Sequence, residues 1–420
     1  MSAVLLILIV LALLVLRQNL IAILFVVAAF IHIVWGDGDP SYIIEDMWNG
    51  ASKEVLLAIP LFILCGNVMT RGTIAERLIT IMRLITAPLP GGLAVATILS
   101  CAVFAAISGS STVTLLAVGA ILYPALLKEG YSRNFALGAI CAGGTLGIII
   151  PPSIPMILYG LVTETSVTDL FIAGIGPGIL LTGVLSVYAL AVNRRLPSYP
   201  WRFSELRDAF ARGGAALLMP VILLGGIYSG YFTATESAAV ALAYAAFVEV
   251  AIHRELKLAD FNHISLETVK LLGSLFPVLA VAISLNLLLA AEQVPTMLVH
   301  WITTHVDTKL GFLLGVNLVL LVIGCFMDVA SAILITAPLL KPLAAAFGMD
   351  PVHFGVMMIV NLEIGFLTPP IGLNLIVAMT AFREPFGRIC FAVLPFIVLL
   401  LLVLMAVAWI PEISMYLVRG

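Results

Sequence analysis

Residues 147–152 read Gly-Ile-Ile-Ile-Pro-Pro, and residues 365–370 read Gly-Phe-Leu-Thr-Pro-Pro. Each closes an apolar run, and the two lie 218 positions apart in a chain of 420 residues. Proline has no backbone N–H and disfavours helical backbone in the residue before it. Two in succession therefore stop a helix and leave carbonyls of the preceding turn without donors. At membrane depth such backbone is tolerated only where protein buries it or it lines a cavity. The pair of motifs predicts two broken helices, each offering bare carbonyl oxygens.

Working outward, residues 108–160 laid on 326–378 without gaps share seven identities, five of them Gly or Pro. These five are Pro124/Pro342, Gly130/Gly348, Gly147/Gly365, Pro151/Pro369 and Pro152/Pro370. Residues that determine backbone match while side chains diverge, as when geometry is shared and environment is not. Ahead of each break a helix stops at a polar, flexible tip, Ser108-Gly109-Ser110-Ser111-Thr112 or Gly324-Cys325-Phe326-Met327-Asp328. A short helix returns to a turn near Gly130 or Gly348, and a third runs into the break. Interrupted segments at corresponding places in two halves point to the midplane site of a secondary transporter. The rival reading is a pair of kinked helices whose Ser and Thr side chains re-satisfy the backbone.

Composition sets the surroundings. The chain is 62% hydrophobic and 10% charged, with mean hydropathy +1.19. Soluble domains carry about 45–50% apolar and about 25% charged residues, so most of this surface faces lipid. At about 20 residues per span there is room for about ten to twelve membrane elements and little else. The prediction is an all-α polytopic membrane protein. Clear spans are 20–35, 170–193, 214–230, 235–252, 271–291, 310–326 and 388–410; shorter runs are 55–70, 92–107, 112–127, 134–150, 331–347 and 352–367. The short runs suggest re-entrant hairpins or broken helices. The N-terminal apolar run lacks a basic leader and reads as a retained helix.

The polar stretch Asn193–Gly213 holds five of the twenty basic residues and is expected on the cytoplasmic side. The acidic segment Gly36–Asp46 is expected outside, and 40–54 and 71–86 read as interfacial amphipathic helices. A net charge of −3 without basic runs gives no nucleic-acid footprint. Cys65, Cys101, Cys141, Cys325 and Cys390 sit in apolar runs without a C-x-x-C pair and read as packing residues. No histidine spacing suggests a metal site, and His253 and His263, beside charged connections, read as surface residues.

Hydroxyls and carbonyls without a carboxylate cluster suit Na⁺, whereas a proton-coupled carrier more usually needs a titratable relay in its core. Two carboxylates do fall in the second half's core, Asp328 and Glu363. At about 2.5–3.5 kcal/mol for a mid-membrane Asp, each invites a functional reading. Asp328 reads equally as a wetted helix cap, and Glu363 as a satisfied structural carboxylate. Asn67 and Glu236 are lone polar residues, read as interhelical hydrogen-bonders or, for Glu236, as a group approaching a cation or substrate.

The run AISGSSTVTLLAVGAILYPALLKEGYSRNFALGAICAGGTLGIIIPPSIPMILYG carries a resemblance, together with Leu57–Phe62 upstream, Gly230–Ser237 downstream and MIVNLEIGFLTPPIGLNL in the second half. Together these resemble the large membrane subunit of tripartite ATP-independent periplasmic (TRAP) transporters, over essentially the whole chain. The resemblance implies two inverted-topology repeats, taken as residues 1–210 and 211–420, with scaffold helices, two re-entrant hairpins and an elevator mechanism. It implies Na⁺-driven uptake of an organic acid, such as a C4-dicarboxylate or sialic acid, delivered by a periplasmic binding protein across the bacterial inner membrane. It places one sodium site on Ser108, Ser110, Gly147, Ile150 and Pro152. A second would use Gly324, Gly365, Thr368 and also Met327 and Pro370. Substrate is expected between the tips, near Ser111, Asp328 and Asn374. The small four-helix membrane subunit of such systems is expected on a separate chain.

Other readings stay open. A dicarboxylate or citrate symporter of similar plan would work without a binding protein, and a passive channel would conduct without coupling. Gly36-Asp37-Gly38-Asp39 matches the G-x-G-D of aspartyl intramembrane proteases, without an obvious second catalytic Asp. Gly174-Ile175-Gly176-Pro177-Gly178 follows no strand and reads as membrane-helix punctuation, not a nucleotide loop.

Overall fold

A computed structural model describes residues 2–16, 18–35, 41–306 and 308–419, and every regular element among them is helical. In order these are α1 (Ser2–Val15), α2 (Leu20–Val34), α3 (Ser41–Ala51), α4 (Ala58–Arg71), α5 (Ile74–Thr86), α6 (Gly92–Ser108), α7 (Ser111–Lys128), α8 (Arg133–Ile149), α9 (Ile154–Thr163) and α10 (Val167–Asn193). There follow α11 (Phe203–Tyr228), α12 (Ala234–Phe247), α13 (Leu258–Ala291), α14 (Val294–His305), α15 (Lys309–Phe326), α16 (Val329–Ala346), α17 (Pro351–Phe366), α18 (Leu373–Phe382), α19 (Phe386–Trp409) and α20 (Glu412–Arg419). A 3₁₀ turn, Glu54–Leu57, leads into α4, and a π-helical segment, Val248–Ile252, closes α12.

Ten helical stretches among the described residues are long and apolar enough to cross a membrane, and the chain is a multi-pass membrane protein. Some helices outrun their apolar stretches. α11 begins at Phe203 and α13 at Leu258, each more than ten residues before the run that announces it. Hydropathy marks where a helix is dry; a helix ends only where capping or a breaker ends it. At α11 an Arg202–Glu205 ion pair of 2.9 Å braces the polar first turn, and at α13 the Lys257 amide donates to Asp260 Oδ2 at 2.8 Å.

The offset of 218 carries over into geometry. α7 and α16 are both 18 residues long, and α9 and α18 are both 10. The hairpins turn on Gly130 (φ 85°) and Gly348 (φ 71°), where left-handed backbone favours glycine. Ser110 caps α7 where Asp328 caps α16, and Ser132 caps α8 where Asp350 caps α17. An N-cap needs only a short side-chain acceptor, so Ser and Asp exchange freely there and the match escapes an identity count.

The predicted helix in 71–86 is α5, with Ile74, Leu78, Ile81 and Met82 turned inward and Glu76, Thr80 and Arg83 outward. The His253 reading is corrected: its side chain is only 2% exposed, with Nδ1 3.6 Å from Glu249 Oε2. The connection after α12 folds back under α5, where Glu249 Oε1 accepts from the Thr73 and Ile74 amides at 2.8 Å each. Unpaired N–H groups at a helix start attract a carboxylate, and His253 follows it inward. His263 is 55% exposed, as expected of a surface residue. Glu236 is a local cap, closing a reciprocal box with Thr233 at the start of α12. Asn67 makes the interhelical bond, Nδ2 to Thr268 Oγ1 at 2.9 Å. All five cysteines are free. The Gly36–Asp39 motif, with the start of the acidic segment, lies outside the described residues.

Candidate functional site

The first half-site forms where the α6–α7 tip meets the end of α8. α6 stops at Ser108 because Gly109 turns left-handed (φ 61°), and Ser110 starts α7 with extended backbone. The Ser108 hydroxyl lies 2.7 Å from Thr114 Oγ1, and Thr114 donates to the Ser110 carbonyl at 2.9 Å. Gly147 faces this cluster. A Cβ there would stand 2.4 Å from the Ser110 carbonyl oxygen and 2.7 Å from Thr114 Oγ1, so only glycine lets α8 approach the tip so closely. Beyond Ile150, which is extended, Pro151 and Pro152 supply no N–H groups for the carbonyls of Gly147 and Ile148. The tip is stitched to the far side of the break by Ile154 N donating to Gly109 O at 3.3 Å.

The second half-site repeats the backbone and changes the lining. Gly324 of α15 and Gly365 of α17 meet almost backbone to backbone: a Cβ on Gly365 would lie 2.7 Å from Gly324 Cα. Gly372, at the position matching Ile154, donates from N to Cys325 O at 3.3 Å. Thr368 Oγ1 returns to the Ile364 carbonyl at 2.6 Å. Met327 is the extended C-cap of α15, and Asp328 Oδ1 accepts from the Ser331 amide at 2.9 Å.

A third cluster joins the halves. Asn374, at the start of α18, donates Nδ2 to Glu363 Oε1 at 3.0 Å, and its Oδ1 accepts from Thr112 Oγ1 at 3.3 Å. Ser111 lies beside the same carboxylate. Glu363 is fully buried, and its Oε2 has no hydrogen-bond partner among the described residues. The first tip therefore reaches the second broken helix through hydroxyls and one amide.

Two further ties cross between the halves at matched positions. Tyr123 of α7 donates to Glu384 Oε1 at 2.7 Å, just past the end of α18. Lys341 of α16, 218 residues later, donates to the Thr163 carbonyl at the end of α9. The Tyr123 hydrogen bond and the Arg388 guanidinium, 2.6 Å from Oε2, hold the Glu384 carboxyl below the usual carboxylate range.

Of the residues expected at sodium sites, Ser108, Ser110 and Gly147 converge on one cluster, with Ile150 and Pro152 on the adjoining break. Gly324 and Gly365 are in contact, while Thr368, Pro370 and Met327 lie along the second break and tip. Ser111 and Asn374 come together; no hydrogen bond joins Asp328 to either among the described residues. Sequence reasoning missed Thr114 and Lys341, and named Thr112 only as part of the tip, without its bond to Asn374. Thr114 had a signal, since it stands four residues after Ser110 and so on the same helix face. Lys341 had another, a charge between Pro338 and Pro342 in an apolar run.

Residues 7–413 match the family model described as Tripartite ATP-independent periplasmic transporter, DctM component. The chain belongs to this family. It is 44% identical over 374 residues to a C4-dicarboxylate TRAP transporter large permease protein of Pseudomonas aeruginosa, covering 88% of this chain and 87% of that one. A C4-dicarboxylate large permease of Vibrio cholerae is 37% identical, covering 94% and 93%. Other relatives are named as TRAP permeases for isethionate, ectoine and sialic acid. The chain is a TRAP large permease subunit, of a family named for transport and not for catalysis. The YdaH transporter of Alcanivorax borkumensis shares the fold, with a TM-score of 0.65 at 14% identity over 90% of each chain.

Proposed function

We propose that this TRAP large permease is the transmembrane core of a sodium-coupled importer of organic acids in the bacterial inner membrane. A periplasmic binding protein delivers the substrate, and a small four-helix subunit on a separate chain completes the membrane part. The observation that carries the reading is the pair of breaks, each pressed against a hairpin tip through a glycine with no room for a side chain. Around the first break, two hydroxyls and freed carbonyls make a hard-oxygen, uncharged donor set, which fits Na⁺. Ser108, Ser110, Gly147, Ile150 and Pro152 would hold one ion; Gly324, Met327, Gly365, Thr368 and Pro370 the second.

Substrate would meet Ser111, Thr112 and Asn374, where a carboxylate would accept the second Asn374 N–H and draw the Thr112 hydroxyl from the Asn374 amide oxygen, with Asp328 at the opposite tip. The Pseudomonas relative supports a C4-dicarboxylate as the first acid to try. Two inverted repeats would let the halves exchange access by an elevator motion, with the Asn193–Gly213 linker on the cytoplasmic side. The test is uptake into proteoliposomes carrying the permease, its small subunit and its binding protein. Ser108→Ala with Ser110→Ala should weaken the sodium dependence of uptake while membrane insertion stays intact; unchanged sodium dependence sinks the first-site assignment. Uptake of free substrate by this chain alone would favour a stand-alone symporter.

A further inference from the structure

α10 and α11 diverge over α6 and leave an apolar groove of about 810 Å³. Leu99 and Val103 of α6 line it, with Ile179 and Gly183 of α10 and Leu217 and Leu224 of α11; Ile150 and Pro151 of the first break close it. From Leu217 to Tyr228 it runs roughly 16 Å along α11, at 1.5 Å per residue. The glycines of the Gly174–Gly178 motif explain its inner wall. A Cβ on Gly178 would stand 2.7 Å from Ile150 Cγ1, and one on Gly174 2.9 Å from Ile149 O, so α10 seats directly on the break. On the outer side Gly183 has nothing within 4 Å of a Cβ position.

Two of the lining residues, Ser186 and Tyr228, carry hydroxyls that are enclosed beneath the wall and lack a hydrogen-bond partner among the described residues. A buried phenol ordinarily finds an acceptor, because leaving one unmade costs about 1–3 kcal/mol. We propose that the groove is a binding site for one retained phospholipid. Its acyl chain lies along α6 against Ile150 and Pro151, and the half-buried Tyr228 side chain turns toward the groove so that its enclosed hydroxyl donates to an ester carbonyl.

Three observations select lipid as the occupant. The groove is continuous with a lipid-facing surface, since Ile179 is 68%, Val187 66% and Val221 64% exposed on its flanking helices. Its walls offer a chain of methylenes almost nothing polar beyond the two hydroxyls and Thr182, whose Oγ1 already donates to Gly178 O at 2.7 Å. Tyr228 is the last residue of α11, the level at which tyrosines meet the interface where ester carbonyls lie. The site is distinct from the polar clusters of the two half-sites and bears on the first through the backbone of the break.

The test uses the full chain in bilayers containing a phosphatidylethanolamine with a diazirine midway along one acyl chain. After photolysis, adducts should concentrate on groove peptides of α6, α10 and α11. Gly183→Phe, which fills the open wall, should bring groove labelling down to that of the outer face of α19, where Phe391 is 73% exposed. Tyr228→Phe keeps the ring and removes the donor. It should weaken retention of the lipid through purification about fivefold, the factor one hydrogen bond supplies, and it carries the test if Gly183→Phe does not fold. Even labelling of all lipid-facing helices, untouched by either variant, would overturn the proposal. So would protection of the groove by cross-linking to a helix of a co-expressed small subunit.

Discussion

Around the first break the tip offers two hydroxyls 2.7 Å apart, Ser108 and Thr114. At the matching positions of the second, 326 and 332, stand Phe and Ala. The second half keeps the backbone and drops that hydroxyl pair: Gly365 packs on Gly324, and the oxygens nearby are carbonyls, the Thr368 hydroxyl and the Asp328 carboxylate. A different exchange runs the other way, since Thr145 of α8 matches Glu363 of α17. Thr145 is satisfied within its own helix, Oγ1 to Ala142 O at 2.6 Å, while Glu363 reaches across to Asn374 at 3.0 Å. Duplicated geometry is thus a frame on which the halves diverge: the first carries the preformed hydroxyl cradle, the second the carboxylate that fixes an amide against the opposite tip.

The largest expected effect attacks what the halves share. Gly147→Val would push a branched side chain into the Ser110 carbonyl, and Gly365→Val into the α15 backbone. Each should abolish uptake and cost about 1–3 kcal/mol in overpacking, read by thermal unfolding beside transport. Near-normal uptake in either variant would mean that the tip and break do not need their close approach.

Next comes the difference between the halves. Thr114→Val keeps the shape and removes one oxygen donor, and should raise the sodium concentration for half-maximal uptake about tenfold, or about 1.4 kcal/mol. Ala332→Thr, its mirror, should leave that concentration close to the wild type, because Phe326 supplies no second hydroxyl. Equal shifts in the two variants would show the half-sites to be lined alike in function.

The crossed ties bring a smaller change. Lys341→Met leaves the Thr163 carbonyl without its charged donor and should cost about 1.5–3 kcal/mol of stability, with Lys341→Arg recovering part of it. Glu384 adds a pH dependence. Its carboxyl titrates below the ordinary value when folded, so its contribution is complete above the unfolded carboxylate range and fades as the pH falls through the folded pKa. Glu384→Gln should flatten the acid limb of the melting curve relative to the wild type.

Much of this frame was legible beforehand because Gly and Pro act through the backbone and keep their meaning in any environment. The breaks, the turns at Gly130 and Gly348 and the tips all announced themselves that way. Partnership was not legible. Nothing local to Tyr123 says that it meets Glu384, 261 residues away, or that Lys341 caps the end of α9. His253 was misread because charge beside a connection ordinarily marks solvent, and here the connection folds under the start of α5. Helix starts at Phe203 and Leu258 were hidden because polar helical turns look like linkers to a hydropathy count.

The smallest expected effect concerns the tips themselves. Asp328 and Ser110 occupy matched N-cap positions, but the cap bond is 2.9 Å for Asp328 and 3.5 Å for Ser110. Removing the cap should therefore cost more in the second half. Asp328→Ala should lose about 1 kcal/mol, and Ser110→Ala less. Asp328→Asn keeps an acceptor of the same reach and discards the charge, so stability should stay within about 0.5 kcal/mol of the wild type. Uptake by that variant then separates two roles that the geometry superimposes. If Asp328 serves only as a cap, transport follows stability and stays near normal. If its free carboxylate oxygen also meets substrate, uptake falls in a variant whose melting temperature has not moved. Ser110 carries no charge and stands in the proposed sodium cluster, so a loss of uptake there should be overcome by raising sodium, whereas one at Asp328 should not, and the pair of tips separates an ion effect from a substrate effect.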